Sequence, residues 1–163
     1  MLFLLFELGS DRYVLDVRHV AEVLPFVGIQ QIPHAPVGVA GVFDFRGSPV
    51  PVVDLSQLTL GRPAEPRLST RIILVHYPVG DGETHLLGLI AERATRTVRH
   101  APADFVSTGV TSDGAPYLGP VATDARGLLR WIEVPVLLTP AVRDVLFKPT
   151  KEGTWVSPTS KTC

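Results

Sequence analysis

A mainly β fold, arranged as small barrels or a sandwich, is what three features of this sequence predict. Runs of strand-forming residues are short. Turns bearing Gly, Pro and Asp separate them at fairly regular spacing, and helical periodicity surfaces only in brief stretches. The chain has 163 residues, enough for one domain or for two small barrels sharing a core, and 45% of them are apolar. Helix is expected to make up less than about one fifth of the chain.

The elements follow in order. Phe3 to Leu8 is rich in strand formers, Gly9-Ser10-Asp11 is turn chemistry, and Tyr13 to Leu15 returns as the second arm of a hairpin. Val17, Val20, Ala21 and Leu24 fit helical spacing over one or two turns, with the chain extended again near Glu22. Pro33 and Pro36 impose a bend or an extended link. Val42 to Phe45 and Val50 to Val53 flank Arg46-Gly47-Ser48, a second hairpin with Gly47 in its tight turn. Ser56 to Leu60 fits a short helix, and Gly61 to Ser69 a polar loop. The unbroken apolar run Ile72, Ile73, Leu74, Val75 marks a strand over Arg71 to Tyr77. Gly80-Asp81-Gly82 turns the chain, Leu86 to Ala91 returns, and Thr95 to Val98 continues that strand past a bulge. A long loop over residues 100–116 precedes two strands, Leu118 to Val121 and Gly127 to Ile132. Thr139-Pro140 opens a short helix reaching Phe147, because Thr can cap and Pro suits the first turn. Residues 1–147 are expected to form one domain, and residues 148–163 a polar, disordered tail.

Composition narrows the function. The net charge is −1 with both signs interspersed, which argues against a broad nucleic-acid footprint. The single cysteine, Cys163, excludes an internal disulfide or a cysteine zinc site and fits a reducing cytoplasm. Met1 to Phe6 is apolar but short, lacks a basic lead, and reads as a strand rather than a signal peptide. No apolar run approaches the roughly 20 residues of a membrane span, so direct membrane insertion is not expected.

Catalytic patterns are missing. There is no Walker-type loop, no HExxH and no GxSxG elbow. His19, His34, His76, His85 and His100 are scattered, with no pair at metal-ligand spacing. Ser48 sits in a turn with no base beside it, and Asp54, at a strand end, reads as a turn or cap residue. No cofactor and no metal is expected. Asp44 and Arg46 alternate with Phe43 and Phe45 around the second hairpin. They form either a solvated face or a rigidly presented recognition residue.

The stretch Gly41-Val42-Phe43-Asp44-Phe45-Arg46-Gly47-Ser48-Pro49-Val50-Pro51-Val52-Val53-Asp54-Leu55 resembles the signature of the CheW family, roughly G-V-x-N-L-R-G-x-x-x-P-V-x-D-L. Phe6-x-Leu8-Gly9-x3-Tyr13-x-Leu15-x-Val17-x2-Val20-x-Glu22-Val23 is similar to the family's opening strands, and Ile32-Pro33-x2-Pro36-x3-Ala40-Gly41 to the link that follows. Gly88-Leu89-Ile90-Ala91-Glu92 resembles its G-L-x-V-D segment. The order and spacing of these motifs are specific, and the likeness runs from about Phe3 to Val98 with a continuation to Phe147. Asp44-Phe45 replaces the family's Asn-Leu, Glu92 its Asp, and Arg130-Trp131-Ile132-Glu133 matches poorly. These departures fit a divergent member serving a specialised receptor and kinase.

The resemblance implies two five-stranded SH3-like β barrels, intertwined as subdomains and packed side by side. It implies a non-catalytic, cytoplasmic adaptor that joins the tip of a methyl-accepting chemoreceptor to the regulatory domain of a CheA-type histidine kinase. Receptor contact would fall on Arg46, Glu22, Val20 and Val23 in a groove between the barrels. The alternative for Arg46 is a brace within its own barrel, against Asp44 or Asp54. The second barrel would dock the kinase, with Ile72 and Leu74 as anchors if they are exposed. Gly9, Gly41 and Gly47 would serve turns. Two other readings stand beside this one: a module of the same fold in another regulatory role, for which a CheV-like receiver domain has no room after residue 147, and an enzyme on a small-barrel scaffold.

Overall fold

The computed structural model describes residues 1–80, 82–110 and 113–147. Asp81, expected in a turn, residues 111–112 of the expected long loop, and the expected tail at 148–163 lie outside the described residues. Among the described residues nine strands occur in the order β1 (Leu2–Leu8), β2 (Asp11–Asp16), β3 (Val20–Pro25), β4 (Val39–Phe45), β5 (Ser48–Asp54), β6 (Arg71–Gly80), β7 (Glu83–Arg99), β8 (Leu118–Asp124) and β9 (Gly127–Ile132). The same residues form two short helices, α1 (Leu55–Leu60) and α2 (Pro140–Leu146), and three 3-10 turns.

Nine strands make two five-stranded units because β7 belongs to both. Its first half, Gly88 to Ala91 included, pairs with β6 and β5, and its second half pairs with β1. The strand crosses over at Arg93, whose φ of 52° is rare for a residue with a side chain. One unit therefore runs β7-β1-β2-β9-β8, and the other β3-β6-β7-β5-β4. Two of the pairings, β2 with β9 and β5 with β7, are parallel.

The side-chain alternation of the strands creates three cores. Phe43, Val50, Val52, Ile72, Leu74 and Ile90 fill the second barrel. Phe3, Val14, Phe105, Ala122 and Leu129 fill the first, where Phe105 and Trp131 stack edge-on at 5.0 Å. The largest core lies between the units and takes Leu4, Phe6 and Leu8 from β1, Ile73, Val75 and Tyr77 from β6, and Leu87, Leu89 and Ala91 from β7. The continuous apolar run in β6 thus has a cause: Ile72 and Leu74 point into a barrel while Ile73 and Val75 point between barrels, so both faces are dry.

Local chemistry ends the elements where expected. Asp54 Oδ1 accepts the Ser56 and Gln57 N–H groups at the start of α1, and its Oδ2 accepts from the Ala64 N–H at 2.9 Å, pinning the loop after the helix. Thr139 Oγ1 caps α2 by accepting from the Val142 N–H. At the far edge of the first barrel, Arg12 on β2 donates two hydrogen bonds, of 2.8 and 2.6 Å, to Asp124 at the end of β8.

Two expectations are corrected. The helical turns expected over residues 17–24 shrink to the 3-10 turn Val17–His19, because the side chain of Asp16 captures the Arg18 N–H and the β-branched Val20 then extends into β3. Gly41 does not serve a turn. It lies within β4 at a register shift, with φ of 147°, and a Cβ there would overlap the Gln30 carbonyl. Gln30 exchanges two hydrogen bonds with Val42, so the chain between β3 and β4 is laced against the strand at the one place lacking a side chain.

Candidate functional site

The two end strands of the second barrel, β3 and β4, share no ladder among the described residues. A side-chain contact spans the opening. Arg46, at the tip of the β4–β5 hairpin, donates from Nη2 to Glu22 Oε1 on β3 at 3.1 Å.

The hairpin explains how Arg46 is held. β4 ends at Phe45 and β5 starts at Ser48, which leaves a two-residue loop of Arg46 and Gly47 with φ of 52° and 88°. Positive φ at both loop positions is the mark of the type I′ turn, whose twist suits paired strands. Asp44 Oδ1 accepts from the Gly47 N–H at 2.7 Å and locks the loop. The Arg46 guanidinium lies over its neighbour's ring, 4.7 Å from the Phe45 centroid. A side chain in a left-handed backbone position is a small strain of the kind that collects at functional sites.

Glu22 is positioned by β3. Val20 pairs with Val75, Glu22 with Leu74 and Val23 with Ile73, and the register shift between Val20 and Glu22 leaves Ala21 as an extra, exposed residue. Val20 packs on the core between the units, whereas Val23 is 39% exposed. The structure thus brings Arg46, Glu22 and β3 together, with Val23 outward and Val20 half inward.

The other expectations divide. Arg46 pairs with Glu22 and with neither Asp44 nor Asp54: Asp44 is engaged by its own turn and Asp54 by α1 and the loop after it. Burial pushes the Asp54 carboxyl above the usual carboxylate range, against the pull of its three backbone donors. Ile72 and Leu74 are fully buried in the second barrel. The condition on them as kinase anchors is not met, since neither side chain reaches the surface. Gly9 and Gly47 stand in turns with positive φ. What the sequence did not mark is Phe45 as a platform for Arg46, and a concavity of about 790 Å³ beyond the end of β3, lined by Phe26, Ile29, Ile32, Val37, Ala40 and Ile90.

The arrangement is an exposed ion pair beside a partly exposed apolar strand. Among the described residues no three His, Cys, Asp or Glu side chains gather as a metal-binding group, and no helix is long and apolar enough to cross a membrane.

Comparison with known proteins fits this geometry. The model of the CheW-like domain matches residues 2–141. The chain is similar to a chemotaxis protein CheW of Treponema pallidum, with 26% identity over 79% of this chain and 76% of that one. It is also similar to a chemotaxis protein CheW of Klebsiella aerogenes, with 27% identity over 84% and 81%. Its fold superposes on the crystal structure of the scaffolding protein TtCheW from Thermoanaerobacter tengcongensis with a TM-score of 0.73 at 24% identity, covering 85% of this chain and 87% of that one.

Proposed function

Because this chain belongs to the CheW-like domain family, we propose that it is a non-catalytic adaptor coupling the cytoplasmic tip of a methyl-accepting chemoreceptor to the regulatory domain of a CheA-type histidine kinase. It would act in the cytoplasm, held at a membrane receptor array by its partners. The departures at Asp44-Phe45 and Glu92 favour a specialised receptor–kinase pair, in a pathway other than flagellar control.

The observation that carries the receptor contact is the Glu22–Arg46 pair across the open side of the second barrel. A receptor tip is a helical hairpin, and a helix seats in a groove by apolar contacts flanked by polar ones. Val23 and the half-buried Val20 supply the first, Glu22 and Arg46 the second. The pair is exposed, 73% at Arg46 and 37% at Glu22, so it contributes only about 0.2–1 kcal/mol to folding. Such a pair gives up one partner easily. A receptor carboxylate or backbone carbonyl can take the guanidinium while the type I′ turn keeps its direction.

The kinase contact is proposed for the outer surface of the second barrel, since the inward face of β6 is closed to it. The test is Arg46→Ala measured against receptor and kinase separately. Receptor affinity should fall by about 1–3 kcal/mol, the range for a lost charged hydrogen bond, with kinase affinity and melting temperature nearly unchanged. A melting temperature lowered by many degrees with receptor affinity per folded molecule intact would make Arg46 a brace only.

A further inference from the structure

On the first barrel, sharing no residue with the Glu22–Arg46 junction, a small cleft of about 280 Å³ is lined by four arginines, Arg12, Arg93, Arg96 and Arg126, against one carboxylate, Glu7. The four come from three elements: Arg12 from β2, Arg93 and Arg96 from β7, at and after its crossover, and Arg126 from the β8–β9 turn. Two of them are answered. Arg12 is 15% exposed and forked onto Asp124, and Arg93 Nε lies 3.5 Å from Glu7 Oε1. Arg96 and Arg126 are exposed, and among the described residues neither has a carboxylate within ion-pair distance. Four arginines against Glu7 and Asp124 leave the cleft and its rim with an excess of positive charge.

Three further features favour a ligand. The cleft is smaller than the roughly 300–1,000 Å³ of sites for drug-sized molecules, so it suits a single compact group. Ser69 and Thr95 add hydroxyls to the lining, donors without charge. Arg93 holds a left-handed φ at its edge, and Arg126 is fixed at its backbone, where its N–H donates to Asp124 Oδ1 at 2.8 Å.

We propose that this cleft on the first barrel is a binding site for a phosphoryl group, either free phosphate or the terminal group of a small phosphorylated molecule, with Arg96 and Arg126 as its principal ligands. A tetrahedral dianion offers several acceptors at once, which two guanidinium forks and flanking hydroxyls can satisfy together. A single carboxylate would leave part of that donor set idle. The site is independent of the adaptor reading, because none of its residues belongs to the proposed receptor contact.

The experiment is calorimetric melting of the full chain in sodium phosphate, in sodium pyrophosphate, and in sodium chloride at matched ionic strength. The wild type should gain melting temperature saturably with phosphate or pyrophosphate beyond the chloride control, as binding to the native state requires. The variant Arg96→Gln/Arg126→Gln should melt within a degree or two of wild type without anion, and its half-saturation should rise at least tenfold. Arg126→Gln alone makes the same comparison should the double variant not fold. Both orders of the two anions support the site: a lower half-saturation for pyrophosphate assigns it to a phosphorylated small molecule, the reverse to free phosphate. No rise beyond chloride, or an equal rise in the variants through general salting-out, overturns the proposal.

Discussion

Arg12 and Arg46 each reach a carboxylate on a strand not paired with their own strand or hairpin, yet the two pairs do different work. Arg12 spans β9 to reach Asp124 with two short bonds, 15% and 28% exposed. Asp124 accepts a third bond from the Arg126 N–H, and the Arg12 guanidinium holds its carboxyl well down, to about 2. Arg46 reaches Glu22 through one bond of 3.1 Å, from a guanidinium that is 73% exposed. One pair fastens strands a barrel already joins. The other stands where no ladder joins them. Solvent and the number of bonds, not residue type, separate a clamp from a contact ready for exchange.

Each side of that contrast can be tested. The largest effect belongs to the closed interior: Leu74→Ala should cost about 2–5 kcal/mol in denaturant unfolding, the range for a truncated core leucine. A loss under about 1 kcal/mol would put Leu74 at the surface and reopen it as a kinase anchor.

Asp124→Asn should cost at most about 2 kcal/mol at neutral pH, less as solvent screens the pair. The folded carboxyl titrates below its ordinary 3.8, so this stability is present above that pH and is lost as pH falls through about 2. Stability curves of wild type and variant should therefore converge in acid. A constant offset down to pH 2 would assign the difference to packing rather than charge.

The smallest folding effect is expected for Arg46→Asn. Asn-Gly is the preferred pair for a type I′ turn, so melting should hold or rise slightly, within about 1 kcal/mol, while receptor affinity falls. A clear loss of melting temperature would erase the contrast with Arg12.

Much of this fold was legible because its signals are local. The Arg46-Gly47 turn, the Asp54 cap and the dry run Ile72 to Val75 each follow from residues within a few positions of one another. The parallel pairings of β2 with β9 and β5 with β7 were not legible, since turn chemistry reports only antiparallel neighbours. Gly41 was readable as a special position but not as the place where Gln30 approaches, a contact set by the long link before it. At the site, Arg46 and Glu22 were both singled out, by family likeness. Their contact was not, because residues 24 positions apart meet only once both strands are placed.

The sharing of β7 bears on the order in which the protein takes shape during synthesis. Every strand of the second barrel lies between Val20 and Ala91, so that barrel can close while the rest of the chain is still being made. The hairpin β1–β2 is made first but waits about 110 residues for β9, on the order of ten seconds at ribosomal speeds of 5–20 residues per second. During that interval Phe3 and Val14 lack their later partners Phe105, Ala122 and Leu129. The β1–β2 hairpin, made before the second barrel, is thus enclosed after it, and the greasy strand Leu2–Leu8 is a stretch a chaperone would meet.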